Sequence, residues 1–127
     1  YREMGVSGAP FLTPATTPTQ FDPEAMKASI HRLLALEPEA MYLTHFSRVD
    51  DVERLSVDLL RRIDAFVSLA EAAPGEGKAR KEAIHASIER YLLAEAPAES
   101  REWLKPVLAV DMDLDAQGLA FWIEQRR

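Results

Sequence analysis

Three histidines, His31, His45 and His85, are the only residues of this chain that could ligate a soft or borderline metal through nitrogen, since cysteine is absent. They lie too far apart in sequence to form a local metal motif. His45 stands out by position. It follows a short bulky run, Met41-Tyr42-Leu43-Thr44, and precedes Phe46, so it sits where a strand gives way to a loop. Rigid scaffolds commonly project site residues from such places. An imidazole there can bind a metal through one nitrogen while an acceptor holds the other. The plainer reading is a histidine satisfied by a loop carbonyl. His31, between Ile30 and Arg32, and His85, between Ile84 and Ala86, flank apolar helix faces and read as partly solvated structural residues.

Other groupings carry less chemistry. Lys78, Arg80 and Lys81 form a basic run at the start of a helix, where the macrodipole disfavours cations. A binding patch is one reading of them, and a solvated face after a hinge is the simpler one. Arg61 and Arg62 fall on the polar side of their helix in the same way. Trp103, Phe121 and Trp122 could make an aromatic platform, yet their helical spacing among aliphatic neighbours makes them core anchors first. The chain has no Gly-rich phosphate loop, no Gly-x-Ser-x-Gly elbow and no His-Glu-x-x-His.

The elements that must position these residues are mostly helices. From Tyr1 to Phe21, prolines 10, 14 and 18 and the glycines among them predict an irregular, extended segment. Asp22-Pro23-Glu24 supplies a cap, a first-turn proline and a first-turn acid, and predicts a helix to about Leu36 with Met26, Ile30, Leu33 and Leu34 on one face. Pro38 ends it. Met41 to Thr44 reads as one buried strand. Asp50 with Glu53 resembles a capping box ahead of Val52, Leu55, Leu59, Ile63, Phe66, Val67 and Ala70, a helix that closes at Ala73 before Pro74-Gly75. A third helix from about Lys78 carries Ile84, Ile88, Tyr91 and Leu92 inward and stops before Pro97. Ser100 to Val110 predicts one or two short turns, because Pro106 is incompatible with a regular helix interior. Asp115 then caps a last helix with Leu119, Trp122 and Ile123 inward.

The expected fold class is therefore mainly α, about five helical pieces with one short β-strand, in a single domain or domain fragment. Its parts are residues 1–21, the helix-strand-helix 22–73 and the helical cover 78–127. One strand cannot satisfy its own backbone groups, and residues 1–6 are the one internal partner in view. That mismatch, beside a first residue that is not methionine, leads us to expect that the rest of a sheet lies outside this chain. The 127 residues are 47% hydrophobic and 28% charged, which excludes a disordered chain. A net charge of −6 disfavours binding to nucleic acid through phosphate neutralisation. Without a membrane-length apolar run or a signal-peptide pattern, a cytoplasmic protein with no membrane association is expected.

Several stretches resemble a known family. Thr16-Thr17-Pro18-Thr19-Gln20-Phe21-Asp22-Pro23 with the helix after it, and Met41-Tyr42-Leu43-Thr44-His45-Phe46 ahead of a long acid-capped helix, resemble the C-terminal part of a metallo-β-lactamase-fold hydrolase. Asp111 to Trp122, with Asp115-Ala116-Gln117-Gly118-Leu119 inside it, is similar to the closing helix of a bacterial subgroup. The resemblance implies an αβ/βα sandwich whose binuclear site, usually zinc, activates water at the strand ends. It implies that His45 is the last metal-ligand histidine and that residues 1–21 form a wall of the substrate cleft. By the same resemblance the His-x-His-x-Asp-His cluster, the next histidine and the bridging aspartate precede Tyr1. Zinc then belongs to the complete parent. This chain alone would be inactive, binding zinc weakly, and its partner would be the missing N-terminal half or, by self-association through an exposed strand into a homo-oligomer, a second copy. The competing expectation is an autonomous helical interaction module with Leu55, Leu59, Ile63 and Phe66 on one face.

Overall fold

The computed structural model describes residues 2–3, 10–44 and 47–126. Four α-helices dominate: α1 (Pro23–Leu34), α2 (Val52–Ala72), α3 (Gly77–Glu95) and α4 (Arg101–Gln125), with a 3₁₀ turn at Ala98–Ser100 ahead of α4. The strands are two residues each. β1 (Arg2–Glu3) pairs antiparallel with β2 (Pro10–Phe11), and β3 (Met41–Tyr42) pairs antiparallel with β4 (Arg48–Val49).

The mainly helical expectation holds, but the single strand does not. Met41 to Thr44 finds its partner seven residues downstream: Met41 faces Val49 and Tyr42 faces Arg48. Of residues 1–6, expected as the one internal partner, Arg2 and Glu3 pair instead with Phe11 and Pro10, and the others lie outside the described residues. Nor is Met41 to Thr44 buried throughout, since Tyr42 is 80% exposed. The second strand escaped notice because Arg48-Val49 is too short and too polar to show alternation.

Local chemistry explains the helix boundaries. Asp22 accepts a hydrogen bond from the Ala25 amide at 3.0 Å and Pro23 occupies the first helical position, so α1 starts where cap and proline place it. Beyond its C-terminus Glu37 turns with φ 49° and Pro38 follows. α2 starts after Asp51 rather than Asp50, and that carboxylate makes no cap bond; it accepts from Arg54 at 2.6 Å. Between α2 and α3 the chain reverses through Gly75 at φ 83°, a conformation costly for any residue with a Cβ.

The main core lies where α2, α3 and α4 meet. Phe66 of α2, Ile84, Ile88 and Leu92 of α3, and Leu104, Leu108, Met112 and Leu119 of α4 are all fully buried there, with Phe11 and Phe21 of the N-terminal segment against them. Phe21 meets Trp122 edge-on at 5.9 Å between ring centroids. A second, smaller cluster joins Leu12, Val49 and Leu55 to the half-buried Met41, Leu43 and Leu59. None of the described helices is long and apolar enough to cross a membrane.

The C-terminal region departs most from expectation. Pro106 and Asp115, read as a break and a cap, both lie inside one 25-residue helix. Pro106 is exposed, so solvent can satisfy the carbonyl that its missing N–H abandons, while Leu104, Leu108 and Met112 keep the helix docked. Trp103, expected inward, is 46% exposed.

Candidate functional site

The residue on which the sequence reading rests, His45, lies outside the described residues, as does Phe46. The structure describes their frame. The Leu43 amide donates to the Ser47 carbonyl at 3.0 Å, so the 43–47 segment is closed at its base by the β3–β4 hairpin. His31 is exposed on α1, and His85 is half-buried on α3. Among the described residues no group of three or more histidine, aspartate or glutamate side chains could hold a metal ion. The described donor set therefore does not by itself fit a zinc centre, which needs three or four protein ligands.

Beside the hairpin the second cluster is incompletely filled. An apolar cavity of about 220 Å³ is walled by Ile30 and Leu33 of α1, Met41 and Val49 of the hairpin, and Leu55 and Leu59 of α2, with Leu12 closing one side. Ser56 is the one hydroxyl in its lining. Ordered water needs two to four polar partners, so this space suits apolar groups.

Among the described residues, two polar contacts hold the N-terminal segment to the helices, neither of which the sequence displayed. Arg62, expected on the solvated side of α2, is 5% exposed. Its Nη1 donates to the Leu12 carbonyl at 2.6 Å and its guanidinium lies over the Phe11 ring at 4.2 Å from the centroid. Glu95 of α3 stands 3.4 Å from Nη2 and also accepts from Arg61, whose hydrogen bond holds the Glu95 carboxyl below the usual carboxylate range. Burial of a cation here is sustained by a carbonyl, an aromatic face and a shared carboxylate.

The second contact involves Asp115, 3% exposed on α4. Its Oδ1 accepts from the Thr16 amide at 2.8 Å, and the Thr16 hydroxyl donates to the Asp115 carbonyl at 3.0 Å. Burial pushes the Asp115 carboxyl up to about 7, and the two Thr16 bonds oppose that rise. Gly118, one turn on, is why the segment comes so close. A Cβ there would lie 1.6 Å from the Thr16 carbonyl oxygen.

The basic run also divides. Arg80 is buried and its Nε donates to the Gly75 carbonyl at 2.8 Å, which ties the start of α3 to the turn before it. Lys81 pairs with Asp113 of α4 at 2.8 Å, while Lys78 is exposed and lies 3.7 Å from Glu82. These bases join helices or face solvent and do not form one patch.

Against this geometry we set comparisons with known proteins: no protein family, no curated protein and no solved structure matches the chain.

Proposed function

We propose that this chain is the C-terminal part of a metallo-β-lactamase-fold hydrolase, contributing His45 as one zinc ligand, residues 10–21 as a wall of the substrate cleft, a helix-strand-helix over residues 22–73, and residues 78–127 as its helical cover. The observation that carries the reading is the unfilled second core. Leu12, Met41, Leu43 and Val49 line a cavity of about 220 Å³ beside the hairpin whose connecting segment contains His45. A two-residue hairpin also presents edge groups that a longer sheet would pair. Both are what the helix-strand-helix of a half-sandwich would retain on the side meant for a sheet. In a complete parent, zinc held in part by His45 would supply a water of lowered pKa. The part of this chain in that chemistry is to hold one imidazole at the strand end and to exclude solvent along the cleft wall.

The test is reconstitution. Titration of this chain with zinc in a calorimeter gives weak, non-stoichiometric heat. Joined to an upstream segment bearing His-x-His-x-Asp-His, the chain gives stoichiometric zinc and hydrolytic turnover, and His45→Ala lowers metal affinity roughly ten- to a hundredfold or more. An upstream reading frame without that motif, or a full-length His45→Ala enzyme of unchanged zinc content and activity, refutes the assignment.

A second reading has an observation of its own. The core between α2, α3 and α4 is closed, with Phe66, Ile88 and Leu108 fully buried, as an autonomous helical module requires.

A further inference from the structure

The cavity beside the β3–β4 hairpin is walled by three separate elements, α1, the hairpin and the first half of α2, with Leu12 of the N-terminal segment against them. Its floor is made of the buried side chains Leu12, Val49, Val52 and Leu55. It opens to solvent at α1, where Leu33 belongs to the lining and is 47% exposed. Two contacts fix the walls. The Leu12 carbonyl accepts from Arg62 at 2.6 Å, and the hairpin register sets Met41 against Val49.

What such a space takes follows from its size and its lining. An apolar cavity of about 150 Å³ accommodates benzene. At about 220 Å³ this one accommodates a chain of about six to eight carbons. Among the described residues no aromatic side chain lines it, so a ring would find no flat face to stack on, whereas branched walls and the flexible Met41 adapt to a bent alkyl chain. No charged side chain of the described residues lines it either, and the Ser56 hydroxyl donates to the Glu53 carbonyl at 2.8 Å. A carboxylate or ammonium drawn inside would go unpaired, which is costly. The matching ligand is neutral, with its hydrocarbon chain on the floor and its polar end at the mouth beside Leu33.

We propose that the cavity between α1, the β3–β4 hairpin and α2 binds the alkyl end of a neutral medium-chain molecule, an alcohol or ester of about six to eight carbons. The inference does not rest on the hydrolase reading. That reading assigns the same space to an upstream segment, which would compete with the alkyl chain; ligand binding here is a property of this chain by itself. Straight-chain 1-alcohols titrated into the chain in a calorimeter test it. Each added CH₂ tightens binding about threefold to fourfold up to about eight carbons, and longer chains gain nothing further. Adsorption to an open apolar surface would instead keep tightening with length. Octanoate at pH 8 binds at least tenfold more weakly than 1-octanol. Ser56→Leu fills part of the space from a helical position that favours leucine, leaves the circular dichroism unchanged and weakens 1-octanol at least tenfold. Leu59→Ala enlarges the space and raises the length limit by about one or two carbons. The proposal is overturned by the absence of saturable binding, by affinity that keeps climbing with chain length, or by octanoate bound as tightly as 1-octanol. It is overturned equally by a folded Ser56→Leu that binds 1-octanol like the wild type, or by a length limit that Leu59→Ala leaves in place.

Discussion

Asp115 illustrates how one buried side chain couples chain topology to pH. Its carboxyl is pushed by burial up to about 7, whereas in an unfolded chain an aspartate titrates near 3.9. Between those values the folded state binds a proton that the unfolded state has lost, so this group's contribution falls as pH rises from about 4 to 7 and is level above. A gap of about three units corresponds to roughly 4 kcal/mol. Asp115→Asn keeps an acceptor for the Thr16 amide and removes the titration. The variant is expected to be more stable than the wild type at pH 8 by a few kcal/mol and to lose that advantage at pH 4. Urea unfolding across this range isolates the effect as a difference, since the salt-bridged carboxylates Glu95 and Asp113 titrate alike in both proteins. A wild-type-minus-variant difference that does not change with pH would show that Asp115 is ionised in its buried site. Nothing in the sequence marked this residue as buried. An aspartate followed by Ala116 and Leu119 has the pattern of a cap, and the signal that distinguishes it is Gly118, whose lack of a Cβ admits Thr16. Arg62 misled in the same way, because an arginine beside Arg61 on an amphipathic helix looks solvated until a backbone carbonyl is known to face it.

At the scale of elements, periodicity read α2 and α3 well because their inward residues recur every three or four positions: Leu55, the half-buried Leu59, Ile63 and Phe66, then Ile84, Ile88 and Leu92. α1 was legible from its cap and proline alone. α4 was not, for two reasons: Pro106 reads as a terminator, and apolar residues on both faces blur the period. Tertiary packing overrides the proline here. If that account is right, Pro106 costs stability without serving the fold. Pro106→Ala restores an N–H to the helix and relieves the ring's crowding of the preceding turn, at the expense of a more flexible unfolded chain. A net gain of about 1–3 kcal/mol is expected in thermal or urea unfolding. A loss would mean that the proline shapes α4 in a way the docking of Leu104 and Leu108 requires. The strands were the least legible elements, since pairings of two residues carry no periodic signal and depend on which segments the helices bring together.

Across the whole molecule the two clusters differ in completeness, and this separates a stable part from a weaker one. α3 and α4 lie against each other and against the second half of α2, with Phe66, Ile84, Ile88, Leu92, Leu104, Leu108, Met112 and Leu119 fully buried among them. α1 buries no large apolar side chain: the half-buried Met26 packs against the main core, while the half-buried Ile30 and Leu34 and the exposed Leu33 line the cavity. Local opening free energy follows buried apolar contact, so α1 and the β3–β4 hairpin should open without unfolding the rest. Native-state hydrogen exchange measures this. Amides of Ile63–Ala70, Ile84–Leu92 and Leu108–Leu119 are expected to exchange only through global unfolding, and those of α1 and the hairpin at least tenfold faster. The same measurement bears on the hydrolase reading. Joined to an upstream half that fills the cavity beside Leu12, Met41 and Val49, the α1 and hairpin amides should slow toward the rate of the core while the core amides change little. Uniform protection in the isolated chain would mean that the second cluster is already complete and would remove the observation on which the hydrolase assignment stands. Unchanged protection after joining would place the upstream half elsewhere on the surface.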